Sequence, residues 1–230
     1  MENTRKTKKF IFTSPLQREL KNAYYESKRS EVLKNELPSS FPIIIAMNAY
    51  VEEGDEIKIV PIITDDPDGF AKMNFESFKN ELDQLAAAKK FSYSFEQESD
   101  GEKLDLHIYT PYDETISDHL ALYSNLITRV CDDEIIYADT TFGTKPTSII
   151  VQMALNCAYK LRKNTKIGAI VYGAITVRDT EPQKGFIHDV SPLFFMDAIS
   201  NRMAQIKVEN PVERIKNILA INIDDDESEE

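Results

Sequence analysis

The residues best suited to chemistry in this sequence form one short polar loop, residues 139–145, with the sequence DTTFGTK. Gly143 permits a close approach of the backbone, the threonines supply hydroxyls and Lys145 adds a positive charge. Pro146 suits the first turn of a helix, so the loop precedes a helix amino terminus, where unpaired N–H groups attract anions. The loop therefore predicts a phosphate site, although the Walker spacing is absent. The alternative is that Asp139 and the threonines only cap the helix.

The elements on either side of this loop determine where it lies in the fold. Residues 135–138 are a short apolar run typical of a strand buried on both faces. Apolar residues then recur at helical spacing from Ile149 to Leu161, and residues 167–172 form the next buried strand. The pattern predicts a βαβ unit with the polar loop at the carboxyl end of a strand, where open α/β sheets bind ligands.

A second polar loop follows the first predicted strand of the chain. Residues 9–13 read KFIFT, and the strand ends in Thr13, Ser14, Pro15, Leu16 and Gln17. Because the carboxyl ends of parallel strands lie at one edge of a sheet, the two loops are expected to be neighbours.

The alternation of strands with helices predicts an α/β class: a Rossmann-like, mainly parallel sheet with helices on both faces. Residues 18–35 are interpreted as helical or mobile, and Pro61 indicates an edge or a bulge in the strand at residues 56–64. Asp100 and Gly101 predict a hairpin turn. The predicted organisation is a basic lead-in at 1–8, one Rossmann domain at 9–206, a helix at 207–222 and an acidic tail at 223–230.

Composition limits the classes of partner. The net charge is −12, of which the tail DDDESEE contributes six negative charges. Long nucleic acid is disfavoured because its binding needs many phosphate contacts, whereas a small phosphorylated ligand needs only a local site. No apolar run is long enough to span a membrane, and the start lacks the apolar core of a signal peptide. With two cysteines in no metal pattern, the chain is predicted to be intracellular and cytoplasmic.

Metal and cofactor sites are not expected. The turn DDPDG at 65–69 has three carboxylates but ordinary turn chemistry. His107, His119 and His188 lack the spacing of a helical metal site. The prediction is no metal and no cofactor.

Three segments together resemble the CARF (CRISPR-associated Rossmann fold) family. They are FIFTSPLQ near the start, YADTTFGTKPTSIIVQMAL in the middle, and IVYGAI followed by GFIHDVSPLFFMDAI. The resemblance covers approximately residues 8–206. It implies a homodimeric sensor of cyclic oligoadenylates in type III CRISPR antiviral signalling, with the RNA-like ring lying across both subunits. Cyclic tetra-adenylate is favoured because a four-membered ring divides evenly between two subunits.

The resemblance also implies which residues contact the ring. Lys145 and Ser14 are the candidates for catalysis, should the ring be cleaved. The implied ligand-binding residues are Thr13, Ser14, Pro15, Gln17, Asp139, Thr140, Thr141, Phe142, Gly143, Thr144, Lys145, Gly173 and Arg178.

Several alternatives remain open from the sequence. A metal-independent ring nuclease would use the same residues, with a ribose 2′-hydroxyl attacking its own 3′-phosphate. A ligand-dependent regulator or scaffold would act through a partner protein. A monomeric flavodoxin-type domain would bind a mononucleotide. The acidic tail favours a stand-alone sensor or ring nuclease over the sensing part of a larger effector, whose ribonuclease signature (Arg and His with four to six residues between them) is not found.

Overall fold

The computed structural model describes residues 6–35, 37–95, 97–99, 102–104, 107–177, 180–206 and 209–219. By its internal contacts the chain divides into two compact units, Met1–Asp189 and Val190–Glu230. The first unit contains the sheet and both polar loops, so it is the unit that positions the candidate site.

The secondary structure elements alternate along the chain as expected for an α/β protein. In chain order they are β1 (Lys8–Thr13), β2 (Ala23–Glu26), α1 (Pro42–Tyr50), β3 (Glu56–Asp65), α2 (Phe70–Lys89), β4 (Ser92–Ser94), β5 (Gln97–Ser99), β6 (Glu102–Leu104), β7 (Ile108–Pro111), α3 (Ile116–Arg129), β8 (Ile135–Asp139), α4 (Lys145–Leu161), β9 (Lys166–Val177), β10 (Gln183–Asp189), α5 (Ser191–Ile206) and α6 (Pro211–Leu219).

One mixed sheet organises the first unit. Its strand order is β2-β10-β9-β8-β1-β3, with β4 and β7 beside successive parts of β3. Neighbouring strands are parallel except β9 and β10, which are antiparallel. The predicted α/β class with a mainly parallel sheet is therefore confirmed, and β1 lies between β8 and β3 with its carboxyl end beside theirs.

The two faces of the sheet are buried by different helices. Phe10, Phe12 and Tyr137 belong to a core that also contains residues of α1 and α2. Side chains alternate along a strand, so the buried Ile11 and Ala138 belong to the opposite face. The connections from β1 to β3 and from β8 to β9 run in opposite directions across the sheet, and right-handed crossovers then place α1 and α4 on opposite faces.

The interpretation of residues 18–35 as helical or mobile is wrong, because this segment contains β2. Ala23 and Tyr25 are buried while Tyr24 and Glu26 are exposed, which is the alternation of a half-buried edge strand. The backbone N–H of Tyr25 also donates to Oδ1 of Asn35 at 2.6 Å. Sequence alone did not reveal the strand because only four residues pair, and their partner, β10, is remote in the chain.

Pro61 lies inside the sheet rather than on an edge strand. It is opposite Phe12 of β1. On its other side, β3 pairs with β4 only through Glu56–Lys58 and with β7 only from Ile62 onward. Proline lacks an N–H, and here it falls in the stretch where β3 has one neighbour instead of two.

The predicted hairpin near residue 100 is partly described. β5 and β6 pair antiparallel, with Ser99 opposite Glu102, while the predicted turn residues Asp100 and Gly101 lie outside the described residues. The acidic tail and the first five residues of the lead-in also lie outside them.

The second unit is described by its two helices. α5 spans Ser191–Ile206, and α6 spans Pro211–Leu219, inside the predicted helix at 207–222. The division by internal contacts falls after Asp189, and the predicted domain limit at residue 206 stays a prediction. Across the described segments of both units, no helix combines the length and the apolar character needed to cross a bilayer.

Candidate functional site

The polar loop of residues 139–145 lies at the carboxyl edge of the parallel strands, as the sequence predicts. β8 ends at Asp139 and α4 begins at Lys145, so the loop joins a strand end to a helix start. Phe12 of β1 is opposite Asp139 in the β1–β8 ladder. The end of β1 and the loop are therefore neighbours, and the two predicted polar segments meet at one edge.

Gly143 brings the loop against the end of β1. Its φ angle is +99°, a conformation that residues with a Cβ rarely adopt. A Cβ placed there would lie 2.8 Å from Cγ2 and 3.4 Å from Oγ1 of Thr13. Only glycine permits this approach, which brings together two of the predicted ligand-binding residues.

The loop presents a run of backbone donors. Among the described residues, the N–H groups of Phe142, Gly143, Thr144 and Lys145 have no hydrogen-bond acceptor. Successive free N–H groups before a helix form a concave site for an anion, and the helix dipole adds to it. The side chain of Lys145 is exposed beside them. The loop therefore has both the donors and the charge that a phosphate group requires.

Asp139 does not face this row of donors, because its carboxylate is turned toward α1. Its Oδ2 accepts from the backbone N–H of Ile43 at 3.1 Å, and its Oδ1 accepts from the N–H of Thr141 at 2.8 Å. Burial raises the pKa of the Asp139 carboxyl to about 6, although these hydrogen bonds favour its ionised form. Asp139 thus holds the start of α1 and the start of the loop on the sheet.

Three further predicted residues attach the loop to β9. The hydroxyl of Thr140 donates to the carbonyl of Val171 at 3.2 Å. The hydroxyl of Thr141 accepts from the N–H of the buried Gly173 at 2.8 Å. These contacts position the backbone of the loop. Arg178 lies outside the described residues.

The segment after β1 is held by α2. The hydroxyl of Ser14 is buried and donates to the carbonyl of Ala71 at 2.7 Å. The side-chain amide of Asn74 donates to the carbonyls of Pro15 and Gln17 at 2.8 and 2.9 Å. Ser14 is therefore engaged inside the protein, whereas the side chain of Gln17 is exposed at this edge.

Glu114 is the residue that sequence reasoning missed. It lies in the loop between β7 and α3, and its side chain is 7% exposed. The hydroxyl of Thr144 donates to its carboxylate at 2.9 and 3.1 Å, and that of Thr147 at 3.0 Å. Nε2 of His119 lies 3.1 Å from Glu114 Oε2. The carboxylate of Glu114 thus binds the two threonine hydroxyls at the start of α4, where Thr144 caps the helix by accepting from the N–H of Thr147.

Two buried threonines continue the polar surface along the same edge. Thr64 and Thr110 are opposite each other at the ends of β3 and β7, and they are 0% and 3% exposed. Neither hydroxyl has a hydrogen-bond partner among the described residues. By strand alternation both lie on the same face as Thr13, whose hydroxyl also has no partner among them. Buried hydroxyls without partners indicate a place for water or a ligand group.

The acidic turn before α2 has a structural role. Asp66 accepts from the backbone N–H groups of Phe70 and Ala71 at 2.8 and 2.9 Å, which caps the helix. Within the described part of the chain, no group of three or more His, Cys, Asp or Glu side chains is arranged to hold a metal ion.

Together, the fold and the loop define an α/β protein with a loop of unpaired backbone N–H groups at the carboxyl edge of a mainly parallel sheet. Comparisons with models of known protein families and with curated proteins find no match to this chain.

Proposed function

We propose that this chain binds a phosphodiester ligand at residues 142–145, and that the ligand is a cyclic oligoadenylate, as the CARF resemblance implies. The observation that carries the proposal is the run of free N–H groups from Phe142 to Lys145 at the start of α4, beside the lysine's own charge. These groups bind the phosphate backbone, which every cyclic oligoadenylate presents. In type III CRISPR signalling such a protein acts as the sensor of the second messenger.

The overall negative charge does not oppose this ligand. Electrostatic interactions at an exposed site are screened within about 8–10 Å at physiological salt, so the local charge decides. The start of α4 contributes a partial positive charge and Lys145 a full one. A ring of a few phosphodiesters needs only such a local site, unlike long nucleic acid.

The homodimer is supported by an exposed apolar surface on α3 and α4. Ile116 and Leu120 of α3 are 77% and 61% exposed, and Ile149 and Met153 of α4 are 59% and 58% exposed. The members of each pair are four residues apart and share a helix face. This apolar surface begins one turn from the anion loop. A second copy that covers it would bring two loops together about a two-fold axis, which suits a ring of even size.

Binding rather than cleavage is the function that this geometry supports. The hydroxyl of Ser14 is engaged with the carbonyl of Ala71, away from the loop. Lys145 and the loop N–H groups can hold the phosphate of an intact ring as well as the transition state of its cleavage, so they do not favour cleavage over binding. Ring cleavage therefore stays a prediction from the resemblance, and the proposal is restricted to sensing.

Lys145→Ala is expected to weaken cyclic tetra-adenylate binding by more than about tenfold, because a charge-assisted contact to phosphate contributes roughly 1.5–3 kcal/mol. Thr144→Ala should cost less, since the Thr144 hydroxyl is engaged by Glu114. Titration calorimetry measures both. Lys163→Ala is the matched control, because it removes the same charge from an exposed position beyond the far end of α4.

The same titration tests the proposal as a whole. Rings of three, four and six adenylates are compared with the wild-type protein, and the four-membered ring is expected to bind tightest. Absence of binding to every ring would rule out the proposed function. If Lys145→Ala and wild type bind the ring with equal affinity, Lys145 is not part of the site, although the proposed ligand still stands.

Met153→Glu is expected to convert the dimer to a monomer, because it places a charge in the centre of an interface that must exclude water. Sedimentation velocity at micromolar concentration measures the change. Gln152→Glu adds the same charge at an exposed neighbouring position on α4, and it should remain dimeric. A wild-type protein that sediments as a monomer would contradict the proposed assembly.

A further inference from the structure

The start of α4 combines groups that attract an anion with one group that repels it. The free N–H groups of the loop and Lys145 favour negative charge. The carboxylate of Glu114 lies at the same helix start, in contact with the hydroxyls of Thr144 and Thr147. Its side chain is 7% exposed, so solvent screens its charge poorly. A ligand phosphate at residues 142–145 must therefore tolerate a fixed negative charge beside it.

We infer that Glu114 is the residue that determines which phosphate esters this site accepts, an inference that rests on the proposed binding at residues 142–145. A phosphodiester carries one negative charge. A phosphomonoester carries about −1.5 to −2 at pH 7, and Glu114 repels it more strongly. The site therefore selects phosphodiesters and rejects terminal phosphates, such as those of mononucleotides.

A second observation, independent of the helix start, marks this place as a ligand site. Thr13 is 3% exposed and its hydroxyl has no hydrogen-bond partner among the described residues. Its Cγ2 and Cβ lie 2.8 and 3.3 Å from the position of a Cβ on Gly143, nearer than its Oγ1 at 3.4 Å, so Thr13 contacts the loop through its methyl group. The hydroxyls of Thr64 and Thr110, on the same face of the sheet, are buried and have no partner among the described residues. Buried hydroxyls without partners indicate a place for water or a ligand group, so they are further contacts available at this edge.

The test compares Glu114→Gln with wild type, using adenosine 5′-monophosphate as the monoester and adenosine 3′,5′-cyclic monophosphate as the diester. The glutamine keeps an acceptor for the threonine hydroxyls but removes the charge. The preference for the diester is expected to fall by about tenfold or more in this variant, corresponding to roughly 1.4 kcal/mol. Asp113→Asn removes the same charge from the exposed neighbouring residue and should leave the preference unchanged.

Glu114→Asp guards against a folding defect in the glutamine variant. It keeps the charge but withdraws it by one methylene, and it should give an intermediate preference. Thermal melting followed by circular dichroism identifies the variants that fold. An unchanged preference in the folded variants overturns the inference, as does an equal gain in affinity for both probes. The inference is also overturned if neither mononucleotide binds to any of the variants at millimolar concentration.

The outcome separates this inference from the proposed function. If cyclic tetra-adenylate binds wild type and the mononucleotide preference does not change, only the role of Glu114 fails. If cyclic tetra-adenylate binds neither wild type nor any variant, but Glu114→Gln lowers the preference for the diester over the monoester, the role of Glu114 stands and the sensor proposal fails.

Discussion

Gly143→Ala is expected to abolish measurable ligand binding and to lower the free energy of unfolding by about 2–4 kcal/mol. Two causes act together. The φ of +99° is unfavourable for any residue with a side chain, and the added Cβ would lie 2.8 Å from Cγ2 of Thr13. The loop must move away from β1 to relieve this contact. The backbone N–H groups of residues 142–145 are then displaced, and the proposed phosphate contacts depend on their positions.

Gly69→Ala is the matched control for this variant. Gly69 also has a positive φ, +71°, but no atom lies within 4 Å of the added Cβ. It should lose only about 1–2 kcal/mol from backbone strain and should keep full ligand affinity. Urea denaturation and calorimetry measure the two quantities separately.

A double variant identifies the cause of the damage at Gly143. Thr13→Ser removes the methyl group that the new Cβ would strike, so Thr13→Ser combined with Gly143→Ala should recover part of the lost stability. The strain in φ remains, so recovery is incomplete. Wild-type binding by Gly143→Ala alone would show that the loop can adopt another conformation with its donors still aligned.

The βαβ unit that carries the loop was predictable because its signals are local. The apolar run before Asp139, the proline at position 146 and the helical spacing from Ile149 onward all lie within one segment. The observed β8, α4 and β9 match these signals. Local propensity and packing agree here, and in such segments sequence reasoning is reliable.

The direction in which each loop side chain faces was not predictable, because it depends on remote contacts. Asp139 was expected to face a ligand with the threonines, but its carboxylate is bonded to α1, almost one hundred residues earlier in the chain. Glu114 reaches the start of α4 from the loop after β7, and β3 and β1 lie between β7 and β8 in the sheet. The strand order brings β7, β3, β1 and β8 side by side, and the sequence does not contain that order in any single segment.

One local signal nevertheless pointed toward Glu114. Thr115 and Asp118 form a capping box at the start of α3, and their spacing is visible in the sequence. The box places Glu114 in the loop just before that helix, after β7. Because β7 is parallel to β3, its carboxyl end lies at the same edge of the sheet as the loop of residues 139–145. The missing information was the pairing of β7 with β3.

The buried carboxyl of Asp139 makes the stability of this fold depend on pH. Asp139 is 3% exposed, and it holds both the start of α1 and the start of the loop. Burial raises its pKa from the ordinary 3.8 to about 6. The pKa of Tyr25 is raised by burial and by the charge of Asp139, so this phenol stays neutral throughout this range. Because burial also raises the pKa of the Glu81 carboxyl, a comparison with a variant that does not titrate is needed to isolate Asp139.

The sign of the effect follows from the protons bound in each state. Between pH 3.8 and about 6 the folded chain keeps a proton on Asp139 that the unfolded chain has lost. The associated stability is complete below the unfolded pKa and is lost as the pH rises through the folded pKa. A shift of about two pKa units corresponds to roughly 3 kcal/mol. The free energy of unfolding should fall by about this amount, from this group, between pH 4 and pH 7.

Asp139→Asn isolates this contribution because asparagine does not titrate. The free energy of unfolding of wild type minus that of the variant is expected to decrease by about 3 kcal/mol from pH 4 to pH 7. Urea denaturation at intervals of half a pH unit measures both curves. Asp113→Asn, at an exposed position, controls for the change in net charge and should give no such decrease. A difference that stays constant, or that rises with pH, would show that Asp139 is ionised in the folded protein throughout this range. Its hydrogen bonds to Ile43 and Thr141 would then outweigh its burial.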